Sequence, residues 1–343
     1  MTLDMDTMLP LGKLPPEQLA RLLNGFARSD AAVRLGPGVG LDCAVLDLGG
    51  EHLLVAKSDP ITFATEEIGW YAVHVNANDV ATTGAIPRWF LSTVLLPQNA
   101  SPDLVDRIFE QVRSAGAEIG ATIIGGHTEV TRDLVRPIVM GTLLGQVARN
   151  RLILPTGVRP GDAIILTKRV AVEATAIIVR EKAGELAGSF GVTYLNHCRN
   201  FLREPGISVV LDAQIAVRAG RVHAMHDPTE GGLATALNEL AIASHIELVV
   251  NVAWVPIYPE TQRLCKFYGL NPWGVIASGS LLIAAEAADA DRIVHALKAN
   301  RVEAAVIGQA TARSAQPMVK LKYGDELYRL PTFPRDEIAR LFE

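Results

Sequence analysis

The sequence predicts an α+β protein built from two mixed α/β domains, residues 1–150 and 151–343, the second a sheet with helices on one side. Three observations carry this expectation. At 343 residues the chain is long for one core and comfortable for two. Hydrophobic residues make up 49% and charged ones 20%, the balance of a well-buried globular chain. Strand-like and helix-like segments alternate, marked off by glycine, through two halves of similar length.

In order, Pro15-Pro16-Glu17 opens a short helix, 18–26, with Leu19, Leu22, Leu23 and Phe26 on one side. Gly36-Pro37-Gly38-Val39-Gly40 follows, then Asp42. Segments 45–48 and 53–56 flank Gly49-Gly50 as a hairpin, and the second strand is expected to end at Lys57-Ser58-Asp59-Pro60. Ile68, Tyr71, Ala72, Val75, Val80 and Thr83 recur at near-helical spacing, so a helix is expected from about Glu67 to Gly84. A strand runs over 89–96. Ser101-Pro102-Asp103 supplies a cap, an N1 proline and a first-turn acid for the next helix, which ends near 116–120. Residues 122–124 read as a buried strand leading into a Gly125-Gly126-His127-Thr128-Glu129 loop, and 138–147 as another strand.

The pattern restarts at Pro160-Gly161-Asp162 with a strand at 163–167 and a helix at 172–182. Residues 200–204 are a polar break, and 207–211 suit either a strand or a first helical turn. A helix over 213–219 precedes Val222 to Gly232, which feeds a helix at 233–244. A strand at 276–284, a helix at 288–300, a strand at 304–307 and a hairpin over 319–330 complete the reading.

A net charge of −5 argues against a nucleic-acid partner. No window approaches the roughly 18 apolar residues that span a bilayer, and residues 1–10 lack a basic-then-apolar leader. A cytoplasmic protein with no membrane contact is expected. Cys43, Cys198 and Cys265 are scattered, with no C-x-x-C pair, so neither a disulfide framework nor a zinc knuckle is expected.

Asn76 and Asp79 lie three apart, one turn above each other on a helix that otherwise reads as buried. Such a pair needs a partner, a bound cation or phosphate, unless it faces solvent. Asp42, Asp59 and Asp79 each sit at a defined position: after a glycine loop, at a strand end and on a helix face. Taken singly, Asp42 and Asp59 suit loop-capping turns. Brought to about 4 Å, carboxylates repel by roughly 4 kcal/mol per pair at an effective dielectric near 20. A cluster therefore needs neutralising, which Mg²⁺ does with one or two carboxylates plus phosphate oxygens. The Gly36–Gly40 loop offers backbone N–H groups to an anion but matches neither a P-loop nor a dinucleotide turn. His127 and Glu129 suit either ligands or a loop-bonded histidine beside a solvated acid. Asp227-Pro228-Thr229-Glu230-Gly231-Gly232 opens a helix whose free N–H groups favour negative charge.

Taken together and in this order, G-P-G-V-G-x-D-x-A-V-L, S-D, N-A-N-D-V-A-T-T-G-A, G-G-H-T-E and H-D-P-T-E-G-G-L-A-T-A-L-N-E resemble one superfamily. It contains aminoimidazole ribonucleotide (AIR) synthase, formylglycinamidine ribonucleotide synthase, thiamine-monophosphate kinase, selenophosphate synthetase and the hydrogenase maturation factor HypE. The chain is most similar to the HypE-like, AIR synthase-related branch, from about Leu35 to the tail. The resemblance implies ATP with Mg²⁺ as cofactors and a homodimer whose N-terminal domains pool strands in a shared barrel. It implies that Asp42, Asp59, Asp79 and Glu129 are metal-linked, with Asn76 beside them. Gly36, Gly38 and Gly40 would approach the triphosphate, Gly125, Gly126 and His127 would reach the same site, and Asp227, Gly231 and Gly232 would close it from the second domain. The implied chemistry is phosphorylation of an amide-type oxygen on a small molecule or a protein tail, which relies on positioning and charge neutralisation. No residue is assigned as a catalytic nucleophile.

Three departures from the family pattern stand out. HypE proteins modify a C-terminal cysteine; here the chain ends Arg340-Leu341-Phe342-Glu343 with no cysteine after Cys265, so self-modification is not expected. His127 stands where several relatives carry an acid. Residues Lys168 to Ala174 replace a glycine-rich loop, and their side chains are expected to hinder a phosphate. Two alternatives follow: a non-catalytic nucleotide-binding partner or scaffold, and a small-molecule kinase related to thiamine-monophosphate kinase.

Overall fold

The structure, a computed structural model, describes residues 14, 16–26, 30–38, 40–62 and 66–342. The expectation about residues 1–10 and the place of Val39 lie outside them. Helix α1 (Pro16–Leu23) precedes β1 (Val33–Leu35), β2 (Ala44–Leu46), β3 (His52–Ile61), α2 (Ile68–Thr82), β4 (Ile86–Pro97), α3 (Pro102–Ile119), β5 (Thr122–Thr131) and β6 (Ile138–Ala148). These strands form one six-stranded sheet in the order β1-β2-β3-β6-β4-β5, antiparallel except for the β4–β5 pair.

Helices α2 and α3 cover one face of that sheet. Ser101 caps α3 as its spelling predicts, its hydroxyl accepting from Leu104 N–H, and Gly120 ends the helix in the left-handed region. Helix α2 is buried along nearly its whole length, because the second half of the chain packs on the side that the sheet leaves free. It approaches β6 closely through Gly141: a Cβ there would stand 2.5 Å from Asn76 Nδ2 and 2.8 Å from Ala72 O. The opposite face carries half-buried Leu54, Leu91, Leu95, Met140 and Leu144, which the antiparallel registers put on one side.

The remaining elements are β7 (Ala163–Thr167), α4 (Val172–Glu181), α5 (Ala183–Leu186), α6 (Val192–Arg199), α7 (Val210–Ala219), β8 (Val222–His226), α8 (Gly232–Ala243), β9 (Ile246–Asn251), α9 (Pro259–Tyr268), β10 (Leu282–Ala285), α10 (Ala290–Ala299), β11 (Ala304–Arg313), β12 (Val319–Tyr323) and β13 (Glu326–Arg329). Their sheet runs β13-β12-β9-β11-β7-β10-β8. The expectation of helices on one side is corrected: Ile164 and Leu166 of β7 pack with α4, α8 and α9, whereas Ile165 packs with α7 and α10. A strand buried at all five positions needs cover on both faces.

The two halves are locked together across α2. Asn78 donates to Ile207 O at 2.8 Å and accepts from Val209 N–H at 2.9 Å. Arg203 reaches back to Glu67 at 2.8 Å and stacks over the Trp70 ring at 4.1 Å.

Several boundaries differ from expectation. Strand β3 runs on to Ile61, so Asp59 lies within a strand, paired with Gly141, rather than at its end. Gly125 to Glu129 continue β5 instead of forming a loop, and the strand expected to be buried is exposed. Residues 276–281 are not strand; Gly279, at φ +111, turns the chain before β10. Strand β9 and helices α5, α6 and α9 were not anticipated, although Pro259, Glu260 and Gly269 mark both ends of α9.

Candidate functional site

The acid set is assembled from three separate elements. Asp42 precedes β2, Asp59 lies on β3 and Asp79 on α2, and all three turn toward the ammonium of Lys57. Nζ stands 3.9 Å from Asp42 Oδ1, 3.1 Å from Asp59 Oδ2 and 2.9 Å from Asp79 Oδ2. Lys57 and Asp59 share a face because they are two apart on one strand. Asn76 supplies the registration: its Oδ1 accepts from Asp59 N–H at 2.9 Å, and its Nδ2 donates to Ala72 O at 2.8 Å and to Asp59 O at 3.4 Å. The amide predicted beside the site therefore pins strand to helix, and Asp79, one turn further on, is held opposite Lys57.

Sequence reading missed Lys57, although its spelling directly before Ser58-Asp59 on an alternating strand placed it on the acids' face. It supplies the neutralising charge that the cluster requires. Burial opposes its protonation, but Asp79, Asp59 and Asp42 outweigh that and hold the ammonium charged well beyond its ordinary range. Burial pushes the Asp79 carboxyl up, with Asp42 and Asp59 adding to the effect against the pull of Lys57. Asp227, delivered at the end of β8, is buried beside them, and burial followed by Asp79 and Asp42 raises its carboxyl strongly. His226 is drawn down by burial, but its 2.8 Å contact to Glu239 and the charges of Asp42 and Asp79 raise it overall. Burial and then Asp79 push the neighbouring Cys43 thiol well up, which leaves it protonated and unsuited to nucleophilic attack.

Among the described residues no three His, Cys, Asp or Glu side chains stand ready as a metal cage. The point shared by Asp42, Asp59 and Asp79 is taken by Nζ. Their chemistry nonetheless fits Mg²⁺, which takes hard oxygen donors and completes its shell with phosphate oxygens and water.

The other predicted residues fall in two places. Gly36, Gly38 and Gly40 lead into Asp42, with Leu41 N–H bonded to Gly38 O at 3.2 Å. Gly231 and Gly232, both at positive φ, start α8 just after Asp227. The Gly231 N–H expected to be free for an anion is bonded to Asp336 Oδ2 at 2.7 Å. Gly125, Gly126, His127 and Glu129 are not brought to the acids within one chain. They lie on the edge strand β5, with β6 and β4 intervening, roughly 14 Å across the sheet from β3. There His127 Nε2 pairs with Glu129 Oε2 at 3.1 Å, both exposed. The loop expected to obstruct phosphate keeps a glycine-like backbone without glycine: Lys168 and Ala171 have φ of 50° and 60°. Lys168 Nζ turns inward to Ser208 O at 2.6 Å, and Val170, Ala171 and Val172 enter the core.

Three carboxylates, from the segment before β2, from β3 and from α2, thus meet one ammonium, with Asp227 of the second α/β unit buried beside them. Two family models match the chain: AIR synthase related protein, N-terminal domain, over residues 40–147, and AIR synthase related protein, C-terminal domain, over residues 159–319. The chain belongs to the AIR synthase related family. It is 32% identical over 256 residues to the carbamoyl dehydratase HypE of Cupriavidus necator, covering 73% of this chain and 69% of that one. It is 27% identical over 200 residues to the thiamine-monophosphate kinase of Bacillus subtilis, covering 58% and 59%. A crystal structure of the hydrogenase maturation protein HypE in complex with ATP superposes with a TM-score of 0.71 at 25% identity, covering 87% of this chain and 89% of that one.

Proposed function

We propose that this chain binds ATP with Mg²⁺ at the acid set and transfers the γ-phosphoryl group to an amide-type oxygen. The observation that carries the reading is the convergence of Asp42, Asp59 and Asp79, from three elements, on one enclosed cationic point. The relatives support it: one is named as a carbamoyl dehydratase, and a solved HypE contains ATP.

Asp42, Asp59 and Asp79 would hold Mg²⁺, which supplies charge neutralisation to the phosphates when bound. Backbone N–H groups of the Gly36–Gly40 loop would face the triphosphate, and Asp227 with the start of α8 would close the site from above. The amide oxygen attacks the γ-phosphorus, ADP leaves, and release of one N–H proton to solvent leaves an O-phosphorylated imidate. Loss of a nitrogen proton with departure of phosphate then completes a net dehydration, or a nitrogen nucleophile displaces phosphate. Neither route needs a protein nucleophile.

The homodimer is part of the same proposal. Strand β5 is exposed along its length, with Ile124 and Val130 in the open, and unpaired edges of this kind are ordinarily covered. The apolar sheet face of Leu54, Leu91, Leu95, Met140 and Leu144 lies uncovered in one chain. We place Gly125, Gly126, His127 and Glu129 on this dimer surface.

The test is ADP release from Mg·ATP in the presence of carbamoyl and primary-amide compounds. Acceptor-stimulated release supports the proposal. ATP that binds but is never consumed with any acceptor points to the scaffold reading, and release stimulated by a phosphomonoester alone points to a small-molecule kinase.

A further inference from the structure

We infer that Lys57 is an interlock between metal and nucleotide: its ammonium shuts free divalent cations out of the acid set and yields that position only when a triphosphate arrives to receive it. The inference rests on the nucleotide reading above and adds to it an order of entry.

Three features carry it. The ammonium lies inside the set, within 3.9 Å of all three carboxylates, and not at its rim. The pair is enclosed, with the Lys57 side chain 9% exposed and that of Asp79 8%, so water screens it little. The frame is also fixed, because Asn76 ties Asp59 to α2 by its backbone and Asp79 cannot drift away from β3.

A magnesium ion held by these carboxylates would stand about 2.1 Å from their oxygens, in the space between them that Nζ now occupies. Two cations cannot share that point, so ammonium and metal are alternatives. A lysine that gives up three carboxylates needs another anion within reach of its flexible stem. A free metal ion brings none, whereas a triphosphate seated beside the Gly36–Gly40 loop brings several, two residues along the chain from Asp42. Metal without nucleotide is thus opposed, and metal with nucleotide is admitted.

The test is Mn²⁺ binding, read by electron paramagnetic resonance, to the full chain with and without a non-hydrolysable ATP analogue. Wild-type protein is expected to take up Mn²⁺ at least about tenfold more weakly alone than with the analogue. Lys57→Met is expected to gain nucleotide-free Mn²⁺ binding by at least about the same factor, Lys57→Arg is expected not to, and Asp79→Asn added to Lys57→Met is expected to abolish the gain. Tight Mn²⁺ binding to nucleotide-free wild type, lost in Asp79→Asn, overturns the inference without reliance on any Lys57 variant. Equal nucleotide-free affinity in wild type and a folded Lys57→Met overturns it as well. Failure of the nucleotide reading is distinct: it shows as no Mn²⁺–analogue uptake by wild type, while the comparison of Lys57→Met with wild type in Mn²⁺ alone remains decisive for exclusion.

Discussion

Lys57 Nζ lies 2.9 Å from Asp79 Oδ2, a strand cation meeting a helix carboxylate where the sequence offers three acids and no obvious counter-charge. The pair ties β3 to α2, and Asp59 and Asp42 complete the set from the more exposed side. Breaking such a pair by removing one partner leaves charge that nothing offsets. Lys57→Met is therefore expected to lose on the order of 3 kcal/mol of stability by urea denaturation, part of it restored by millimolar Mn²⁺. Unchanged stability would show that the acids are solvated well enough to need no counter-charge.

Asn78 is the main polar bond between the halves. Its replacement by Ala leaves Ile207 O and Val209 N–H unpaired in a buried interface. A loss of about 3 kcal/mol is expected, since each orphaned buried group costs roughly 1–3 kcal/mol. Hydrogen exchange should quicken at Val209 in particular.

Glu173, buried at the start of α4, makes stability depend on pH. Burial raises its carboxyl from 4.5 to about 7, against the lowering effects of Ser278 and Arg180. The folded state thus retains a proton that the unfolded chain releases above its ordinary pKa, so this group's contribution falls as pH rises from about 4.5 to about 7 and is level beyond. Glu173→Gln removes the dependence. Its advantage over wild type is expected to grow across that window to on the order of 3 kcal/mol, measured as urea midpoints at pH 5, 6, 7 and 8. Parallel curves would contradict the assignment.

Gly141 admits Asn76 to β6. Gly141→Ala would put a Cβ 2.5 Å from Asn76 Nδ2, against a helix whose Ala72 O is 2.8 Å away. The expected result is a loss of about 2 kcal/mol with weaker protection of the Asp59 amide in hydrogen exchange, because overpacking moves α2 away from β3.

Much of this was legible in the chain. The helix carrying Asn76 and Asp79 was visible because its apolar spacing is strong and Gly84 stops it, and α3 because Ser101-Pro102-Asp103 spells a cap. The meeting of Asp42, Asp59 and Asp79 followed from motif order. Lys57 did not, because a lysine on a strand reads as solvated until a helix is seen to close over it. Asn76 was expected beside the acids, but that its amide ties Asp59 to Ala72 was not legible, since spacing reports a shared face and not what that face meets. The Gly125–Glu129 segment passed for a loop because paired glycines mark turns far more often than a flat, exposed edge strand. Helices on both faces of the second sheet were missed because short apolar runs such as 163–167 do not reveal whether one face or two will be covered.

The central claim is that the converging acids hold cation-bound nucleotide, and titration calorimetry with Mg²⁺ and a non-hydrolysable ATP analogue tests it most directly. Wild-type protein is expected to bind one nucleotide per chain and Asp79→Ala to bind about 100-fold more weakly, with no binding to either when Mg²⁺ is chelated. Absence of binding heat from wild type, or equal affinity in the two proteins, would contradict it.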